Sequence, residues 1–375
     1  MDSLLTHIPD SLQFVIKITK FCNIRCQYCY EHAYLDNPEK ITLEHFQTFF
    51  SYIVDYCSQK PHIKYVELIW HGGEPFSIKP EYYQQIQAIQ ATVFRDTNLI
   101  VLNKVQTNLT ILHDGYLAAL KRGLFDGIGV SIDVVGDCRV DKHANPIETK
   151  VLQHMQVLRE NDITFGSICV LSKKNHLYID QIFKFFDQNN LSFRILPIYL
   201  TKHMRHAEQF SLSAEKIVHA YKLVFEEWLK SENATTVEPL NSYINSAINY
   251  LNDIEDKQYY AKATSDALFI IDTNGNVYST DEIYTEDTCY GNIFQQSLMD
   301  ITQSANYIKA INRADQKMQA TCYQCNYFGY CMGFEMAETT QEQLVYDSNG
   351  QLTCAIVKPI IQYMVERLRQ LNLVS

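Results

Sequence analysis

Short apolar runs alternate with amphipathic stretches over residues 12–200. Runs of four to eight apolar residues predict strands, and apolar positions three or four residues apart predict helices. The predicted strands are Gln13–Thr19, Tyr65–Trp70, Ile100–Gln106, Gly127–Ile132, Thr164–Val170 and Ser192–Pro197. The predicted helices between them are Leu43–Tyr56, Pro80–Val93, Asp114–Arg122, Glu148–Arg159 and Leu177–Asn189. This alternation predicts an α/β fold, an open, partial parallel (β/α)6 barrel with room for a large substrate.

The pattern changes after the sixth strand. Ser211–Lys230 and Leu240–Asp253 have helical periodicity, and Leu268–Asp272 and Val277–Tyr278 flank an Asn-Gly turn that is typical of a hairpin. The tail Lys358–Leu371 is amphipathic. We therefore predict a barrel over residues 1–205, a helical bridge over 206–260, a C-terminal cysteine-rich domain over 261–357 and a closing helix over 358–375.

Composition narrows the class of protein. The chain has 375 residues, of which 46% are hydrophobic and 20% charged, as in an ordinary globular protein. It has no apolar run of membrane-spanning length and no signal-peptide pattern, so we expect the cytoplasm and no membrane partner. The eleven cysteines would there be thiols or metal ligands. The net charge of −11 argues against nucleic acid and weakly favours a basic or neutral peptide substrate.

Three cysteines follow the first predicted strand, at Cys22, Cys26 and Cys29. Three thiolates can hold three irons of a [4Fe–4S] cubane and leave the fourth iron open. A zinc site completed by His32 is an alternative, whereas a disulfide framework is typical of short secreted chains. The CxxxCxxC spacing with Tyr28 before its last cysteine resembles the radical S-adenosylmethionine (SAM) superfamily. The resemblance implies that SAM binds the open iron and is cleaved to a 5′-deoxyadenosyl radical.

The second strand leads into His71-Gly72-Gly73-Glu74-Pro75. Two glycines let the backbone approach a ligand closely, and the Glu74 carboxylate can receive an ammonium group. Alone, the four residues from Gly72 to Pro75 would indicate only a turn. After the cysteine motif, they resemble the GGEP motif of the radical SAM enzymes. The resemblance implies that Gly72, Gly73 and Glu74 hold the methionine amino group of SAM.

Further polar residues follow the third and fourth strands. Short polar side chains there can bond ribose hydroxyls, which is how the family uses this region. Ser131 and Asp133 are therefore our ribose candidates, and Asn108 is a further one. Arg139 can pair with the SAM carboxylate, unless it is a solvated loop residue. Tyr28 resembles the aromatic residue that lies against adenine in this family.

A second set of cysteines lies near the C-terminus, at Cys322, Cys325, Cys331 and Cys354. Four thiolates close either a cubane cluster or a zinc site. In this context the segment resembles the SPASM domain, an extension of peptide-modifying radical SAM enzymes. The resemblance implies a fully ligated auxiliary [4Fe–4S] cluster.

The chain departs from the seven-cysteine SPASM pattern at two positions, where Thr280 and Glu335 replace cysteines. Neither residue substitutes well for a thiolate on iron. Only Cys289 remains in that neighbourhood, so we expect one auxiliary cluster and not two. The other cysteines, Cys57, Cys138 and Cys169, are expected to be packing residues.

Two segments, residues 131–141 and 327–333, resemble the cyclophane-forming SPASM peptide maturases. The resemblance implies a ribosomal precursor peptide as substrate, an external electron donor, and a carbon–carbon crosslink from an aromatic ring to the β-carbon of a residue two positions later. Thioether formation, epimerisation and sulfatase-type oxidation are alternatives, although the last usually accompanies seven cysteines. A non-catalytic, zinc-stabilised binding module is the alternative outside enzymes.

Two further expectations concern the substrate. The predicted barrel begins close to the first residue, so we expect no N-terminal winged-helix domain. The leader segment of the precursor peptide would then be bound by the barrel, by the helical bridge or by a separate protein. The aspartate that follows the Thr280 position acts as a base in related SPASM enzymes. This resemblance makes Asp281 the candidate proton acceptor when the ring regains aromaticity, with Glu282 second and a solvated Asp281 as the alternative.

Overall fold

A computed structural model describes residues 6–198, 200, 204–233, 235–279 and 285–372. Within these residues, its main feature is a ten-stranded sheet. The strands are β1 Ser11–Thr19, β2 Tyr65–Gly72, β3 Ile100–Thr107, β4 Gly127–Ser131, β5 Gly166–Leu171, β6 Phe193–Pro197, β7 Val237–Glu238, β8 Leu268–Ile271, β9 Asn276–Tyr278 and β10 Gly291–Asn292. Their order in the sheet is β10-β9-β8-β1-β2-β3-β4-β5-β6-β7. Neighbouring strands from β8 through β1 to β7 are parallel, whereas β9 pairs antiparallel with both β8 and β10.

Helices connect successive parallel strands, as the alternating pattern predicts. They are α1 Leu43–Ser58, α2 Pro80–Val93, α3 Asp114–Lys121, α4 Glu148–Glu160 and α5 Ile179–Gln188. The helices bury one apolar face each; α1, for example, buries Phe46, Phe49, Phe50 and Ile53. Fully burying side chains of this size contributes roughly 1.5–3 kcal/mol each. The six-unit parallel α/β architecture is therefore confirmed.

The sheet extends beyond the six predicted strands on both sides. A two-residue strand, β7, interrupts the bridge and pairs with β6, which corrects our expectation of a bridge without strands. On the other side, β8 of the predicted hairpin pairs in parallel with β1, in the register Gln13↔Leu268 to Ile16↔Ile271. The cysteine-rich segment is thus hydrogen-bonded directly to the strand that leads into the first cysteine motif.

The remaining helices pack around this sheet. They are α6 Ala214–Trp228, α7 Leu240–Leu251, α8 Lys262–Ser265, α9 Leu298–Ile301, α10 Ala305–Thr321, α11 Phe334–Ala337 and α12 Val357–Gln370. A small hairpin, β11 Val345–Tyr346 and β12 Leu352–Thr353, precedes α12. The C-terminal helix α12 packs on α6 and α7, and Arg367 Nε lies 2.9 Å from Glu226 Oε1. A helix is therefore present where the sequence predicts the closing one, while the boundaries of the four domains stay predictions.

Within the described ranges, none of the helices combines the length and the apolar character needed to cross a bilayer.

Candidate active site

The first cysteine motif forms a loop at the carboxyl end of β1. Cys22 and Cys26 are buried and Cys29 is partly buried. All three line a cavity of about 320 Å³, together with Gly72, Gly73 and side chains from the ends of β3 to β6. The carboxyl ends of parallel strands are where barrel enzymes gather their reacting groups. The structure thus brings the separate strand-end motifs into one cavity.

The two glycines after β2 are required by the neighbouring backbone. A Cβ at Gly73 would lie 2.1 Å from Phe21 O, and one at Gly72 would lie 2.3 Å from Thr19 O. Gly72 also has a φ of +118°, a conformation that side chains disfavour. Gly73 N donates to Thr19 O and Glu74 N donates to Phe21 O, both at 2.7 Å. The glycines therefore fasten the segment that leads into Cys22, a role that the sequence analysis did not foresee.

The Glu74 carboxylate is directed into the protein. Its Oε1 accepts hydrogen bonds from Thr107 Oγ1 at 2.6 Å and Phe76 N at 2.9 Å, and its Oε2 accepts one from Asn108 N at 2.8 Å. The side chain is 1% exposed, and burial raises its pKa to about 7. The carboxylate thus joins the ends of β2 and β3. These bonds give Glu74 a positioning role, and its contact with SAM stays a prediction.

Asp133 is also engaged within the protein. Its Oδ2 accepts the Tyr28 hydroxyl at 2.5 Å, and its Oδ1 accepts Val170 N at 3.0 Å and lies 3.2 Å from Arg139 Nε. Asp133 is 1% exposed and anchors these neighbours, and its ribose contact stays a prediction. Arg139 is buried and paired, which rules out the solvated-loop alternative.

The other predicted SAM contacts surround the same cavity. Ser131 lines the cavity and accepts a hydrogen bond from Gln106 Nε2 at 2.7 Å. Asn108, Tyr28 and Arg139 line it as well. The ribose contact of Ser131 and the adenine contact of Tyr28 stay predictions.

Sequence reasoning missed several polar residues of the cavity wall, among them Glu31, His71 and Gln106. His71 Nδ1 accepts the Gly72 N–H at 2.8 Å, so the ring proton is on Nε2. Burial lowers the pKa of His71 to about 4, which keeps the ring neutral near pH 7. Its place beside Gly72, at the end of a strand, was an available signal. Gln106 ends the third predicted strand and offered the same kind of signal, whereas Glu31 offered none, because its position depends on the folded loop.

The donor set of the cavity fits an iron–sulfur cluster. Cys22, Cys26 and Cys29 are the residues that would hold it. A tetrahedral zinc site would need sulfurs about 3.8 Å apart, given Zn–S distances near 2.3 Å. Among the described residues, no three His, Cys, Asp or Glu side chains converge on a single ion. His32, the fourth ligand of the zinc alternative, is exposed and contacts the His206 ring, with ring centroids 5.3 Å apart.

The second cysteine set also converges in space. Cys322 lies at the end of α10, Cys325 and Cys331 lie in the next loop, and Cys354 precedes α12; all four line one small cavity. Cys354 Sγ accepts Lys358 N at 3.4 Å, and Thr321 Oγ1 lies 3.5 Å from Cys322 Sγ. Four cysteines can ligate a cubane cluster completely, so these residues fit an auxiliary [4Fe–4S] cluster.

Glu335 lines the cavity of the four C-terminal cysteines. Cys289 lies outside this cavity, with its Sγ 3.4 Å from Gly291 O. The expected packing cysteines are all buried: Cys57, Cys138 and Cys169. Thr280, Asp281 and Glu282 lie outside the described residues, so the proton acceptor stays a prediction.

Comparisons with known proteins agree with this geometry. The family model described as the Radical SAM superfamily matches residues 16–186, and the SPASM iron–sulfur cluster-binding domain matches residues 264–326. A serine-type anaerobic sulfatase-maturating enzyme of Bacteroides thetaiotaomicron is 23% identical over 336 residues, which cover 83% of this chain and 79% of that protein. The cysteine-type anaerobic sulfatase-maturating enzyme of Clostridium novyi is 21% identical over 371 residues, which cover 96% of each chain.

Solved structures share the fold. Native anSMEcpe with bound AdoMet and the Kp18Cys peptide has a TM-score of 0.75 at 18% identity, covering 96% of this chain and 98% of that one. SuiB of Streptococcus suis, bound to S-adenosylmethionine, has a TM-score of 0.59 at 13% identity, covering 86% and 72%. The first match contains Cys22, Cys26 and Cys29, and the second contains Cys322 and Cys325 of the four-cysteine cavity. The chain therefore combines a radical SAM domain with a C-terminal SPASM domain, and so implies a SAM-binding [4Fe–4S] cluster and auxiliary iron–sulfur ligation.

Proposed function

We propose that this enzyme modifies a ribosomal precursor peptide by joining an aromatic ring carbon to the β-carbon of a nearby residue. The observation that carries the reaction class is the single cavity in which Cys22, Cys26 and Cys29 meet the Gly72-Gly73 backbone and Ser131. A cluster held there by Cys22, Cys26 and Cys29 would supply the electron for SAM cleavage to a radical able to take a hydrogen atom from the peptide. The electron comes from an external donor, and the cysteine usage favours the cytoplasm.

The chain's own residues organise this cavity. Glu74 joins the ends of β2 and β3, and Asp133 holds Tyr28 and Arg139. Next to the cysteine loop, the wall is apolar and comes from β6, β8 and the segment after β6: Leu196, Pro197, Ile198, Met204 and Ile270. An apolar wall suits a peptide side chain and limits water, which protects a reactive carbon radical.

The crosslink balances as the loss of two hydrogens. One hydrogen atom leaves the β-carbon and ends in 5′-deoxyadenosine. The carbon radical then adds to the ring, which regains aromaticity by losing one electron and one proton. We propose Asp281 as the proton acceptor, and a single auxiliary cluster, held by the four C-terminal cysteines, would take the electron.

Sulfatase-type oxidation is the second candidate, because the relatives named above are sulfatase-maturating enzymes. Against it stand Thr280 and Glu335, which occupy positions where the seven-cysteine pattern has thiolates. Those two replacements and the segments 131–141 and 327–333 support the crosslink.

Mass spectrometry with an aldehyde probe separates the two reactions. The substrate would be a synthetic peptide from a short reading frame beside the gene, one with repeated aromatic-x-x motifs. We expect a loss of two daltons per ring, no reaction with a hydrazide, and no fragment ions between the crosslinked residues. Serine oxidation also removes two daltons, but its aldehyde would react with the hydrazide. A hydrazide-reactive product, or a crosslink through sulfur, would refute the proposal.

A further inference from the structure

Two side chains of the cavity approach the cysteine sulfurs. Asn108 Nδ2 lies 3.7 Å from Cys22 Sγ, and Arg139 Nη1 lies 3.8 Å from Cys26 Sγ. Sulfur is larger than oxygen, so these distances are compatible with N–H···S hydrogen bonds. The sequence predicts a SAM contact for both side chains, yet both direct an N–H at a residue of the cysteine loop.

The orientation of the Asn108 amide is set by its neighbours. Its Oδ1 accepts hydrogen bonds from Thr110 N at 2.9 Å and from Thr110 Oγ1 at 2.6 Å. A backbone N–H can only donate, so the oxygen of the amide must face Thr110. The NH₂ group therefore faces Cys22 Sγ and Asn23 Oδ1, the latter at 3.1 Å. With its groups used in this way, the 6% exposed Asn108 has little left to offer a ribose.

The position of the Arg139 guanidinium is also set by its neighbours. Its Nε lies 3.2 Å from Asp133 Oδ1, and its guanidinium lies 5.7 Å from the centre of the Tyr28 ring. Asp133 is fixed in turn by Tyr28 and Val170. A guanidinium has N–H donors and no acceptor, so the group facing Cys26 Sγ can only donate. The ion pair with Asp133 offsets the cost of burying this cation beside the loop.

We propose that Asn108 and Arg139 are positioning residues that raise the reduction potential of the SAM-cleaving cluster by donating N–H groups to Cys22 and Cys26. The inference rests on the proposed function in one respect, that these cysteines ligate the cluster. Reduction adds negative charge to a cluster, and a donor aimed at a ligating sulfur stabilises the reduced form more than the oxidised one. Arg139, which is charged, should have the larger effect.

The test is a redox titration of the anaerobically reconstituted enzyme, followed by electron paramagnetic resonance. The cluster of interest is identified by the change that added SAM makes in its spectrum. Asn108→Leu removes the donor to Cys22 at similar volume. Arg139→Lys leaves a cation for Asp133 but removes the guanidinium, whose Nη1 lies near Cys26 Sγ. The matched control is Asn23→Ala, which removes one hydrogen-bond partner of Asn108 and one of Thr110, while Thr110 N still orients the Asn108 amide toward Cys22.

We expect more negative midpoint potentials in Asn108→Leu and Arg139→Lys, and an unchanged potential in Asn23→Ala. The SAM affinity should stay within about twofold of wild type in all three variants. Unmoved potentials together with a tenfold loss of SAM affinity would overturn the proposal and restore the direct SAM contacts. If one variant fails to assemble the cluster, the other still decides the result. Failure of the proposed function is distinguishable, because the wild type would then lack the SAM-sensitive signal.

Discussion

Thr107 Oγ1 donates a 2.6 Å hydrogen bond to Glu74 Oε1. This bond links the turn after β2 to the last residue of β3, Thr107, which lines the same cavity as the three cysteines. Because both side chains are 1% exposed, the contact is shielded from water. It holds the GGEP turn against the neighbouring strand. The turn therefore lines the cavity with Gly72 and Gly73 and also supports it through Glu74.

The first prediction follows from this buried carboxyl group. Burial raises the pKa of Glu74 from 4.5 to about 7, so the folded protein binds its proton more tightly than the unfolded chain does. The contribution of this group to stability is therefore full below pH 4.5 and is lost as the pH rises through 7. Glu74→Gln cannot titrate. We expect the wild-type minus variant difference in unfolding free energy to fall by roughly 2 kcal/mol between pH 5.5 and 7.5, measured by anaerobic urea unfolding. A difference that does not change with pH would contradict this.

The second prediction concerns the close backbone approach at Gly73. Gly73→Ala would place a Cβ 2.1 Å from Phe21 O, so the cysteine loop must shift. We expect a loss of at least about 3 kcal/mol in stability and a loss of iron from the first site. Gly166→Ala is the control, since its Cβ would meet nothing closer than 3.9 Å. Thermal unfolding and iron analysis compare the two; equal behaviour would show that the approach is not needed.

The third prediction is the iron content. Two cubane clusters give about eight irons per chain, because Thr280 and Glu335 remove ligands from a further site. Cys289→Ser should leave the iron content unchanged, because Cys289 lies outside the cavity of the four C-terminal cysteines. The measurement is iron, sulfide and zinc analysis after anaerobic reconstitution. About twelve irons, or four irons with one zinc, would show that the assignment is wrong.

The fourth prediction concerns Asp281. Asp281→Asn keeps the shape of the side chain and removes its basicity. The variant should bind SAM, assemble both clusters and form 5′-deoxyadenosine, but yield at least about tenfold less crosslinked peptide. Glu282→Gln is the comparison, since Glu282 is the second candidate. Wild-type crosslinking by Asp281→Asn would exclude it as the base.

The site motifs could be predicted because each is local. The cysteine loop, Gly72-Gly73 and Ser131 follow strands whose apolar runs are evident in the sequence, and parallel strands bring their ends together. The pairing of Gln13 with Leu268 was not predictable in this way, because 255 residues separate the two positions and neither segment encodes its partner locally.

The partners of polar side chains were harder still to predict. Glu74, Asp133 and Asn108 lie where the sequence analysis expects them, at strand ends around the cavity. Their hydrogen bonds, however, go to protein groups brought near by folding. A strand-end position predicts proximity to the site, but the competing protein donors decide which group a side chain contacts.

SAM cleavage by a cysteine variant tests the central claim most directly. Replacing Cys22, Cys26 and Cys29 by alanine together should leave only the auxiliary cluster, with about four irons. With dithionite and SAM under anaerobic conditions, we expect 5′-deoxyadenosine from the wild type and none above background from the variant, by liquid chromatography and mass spectrometry. Undiminished 5′-deoxyadenosine from the variant would contradict the assignment of SAM cleavage to these three cysteines.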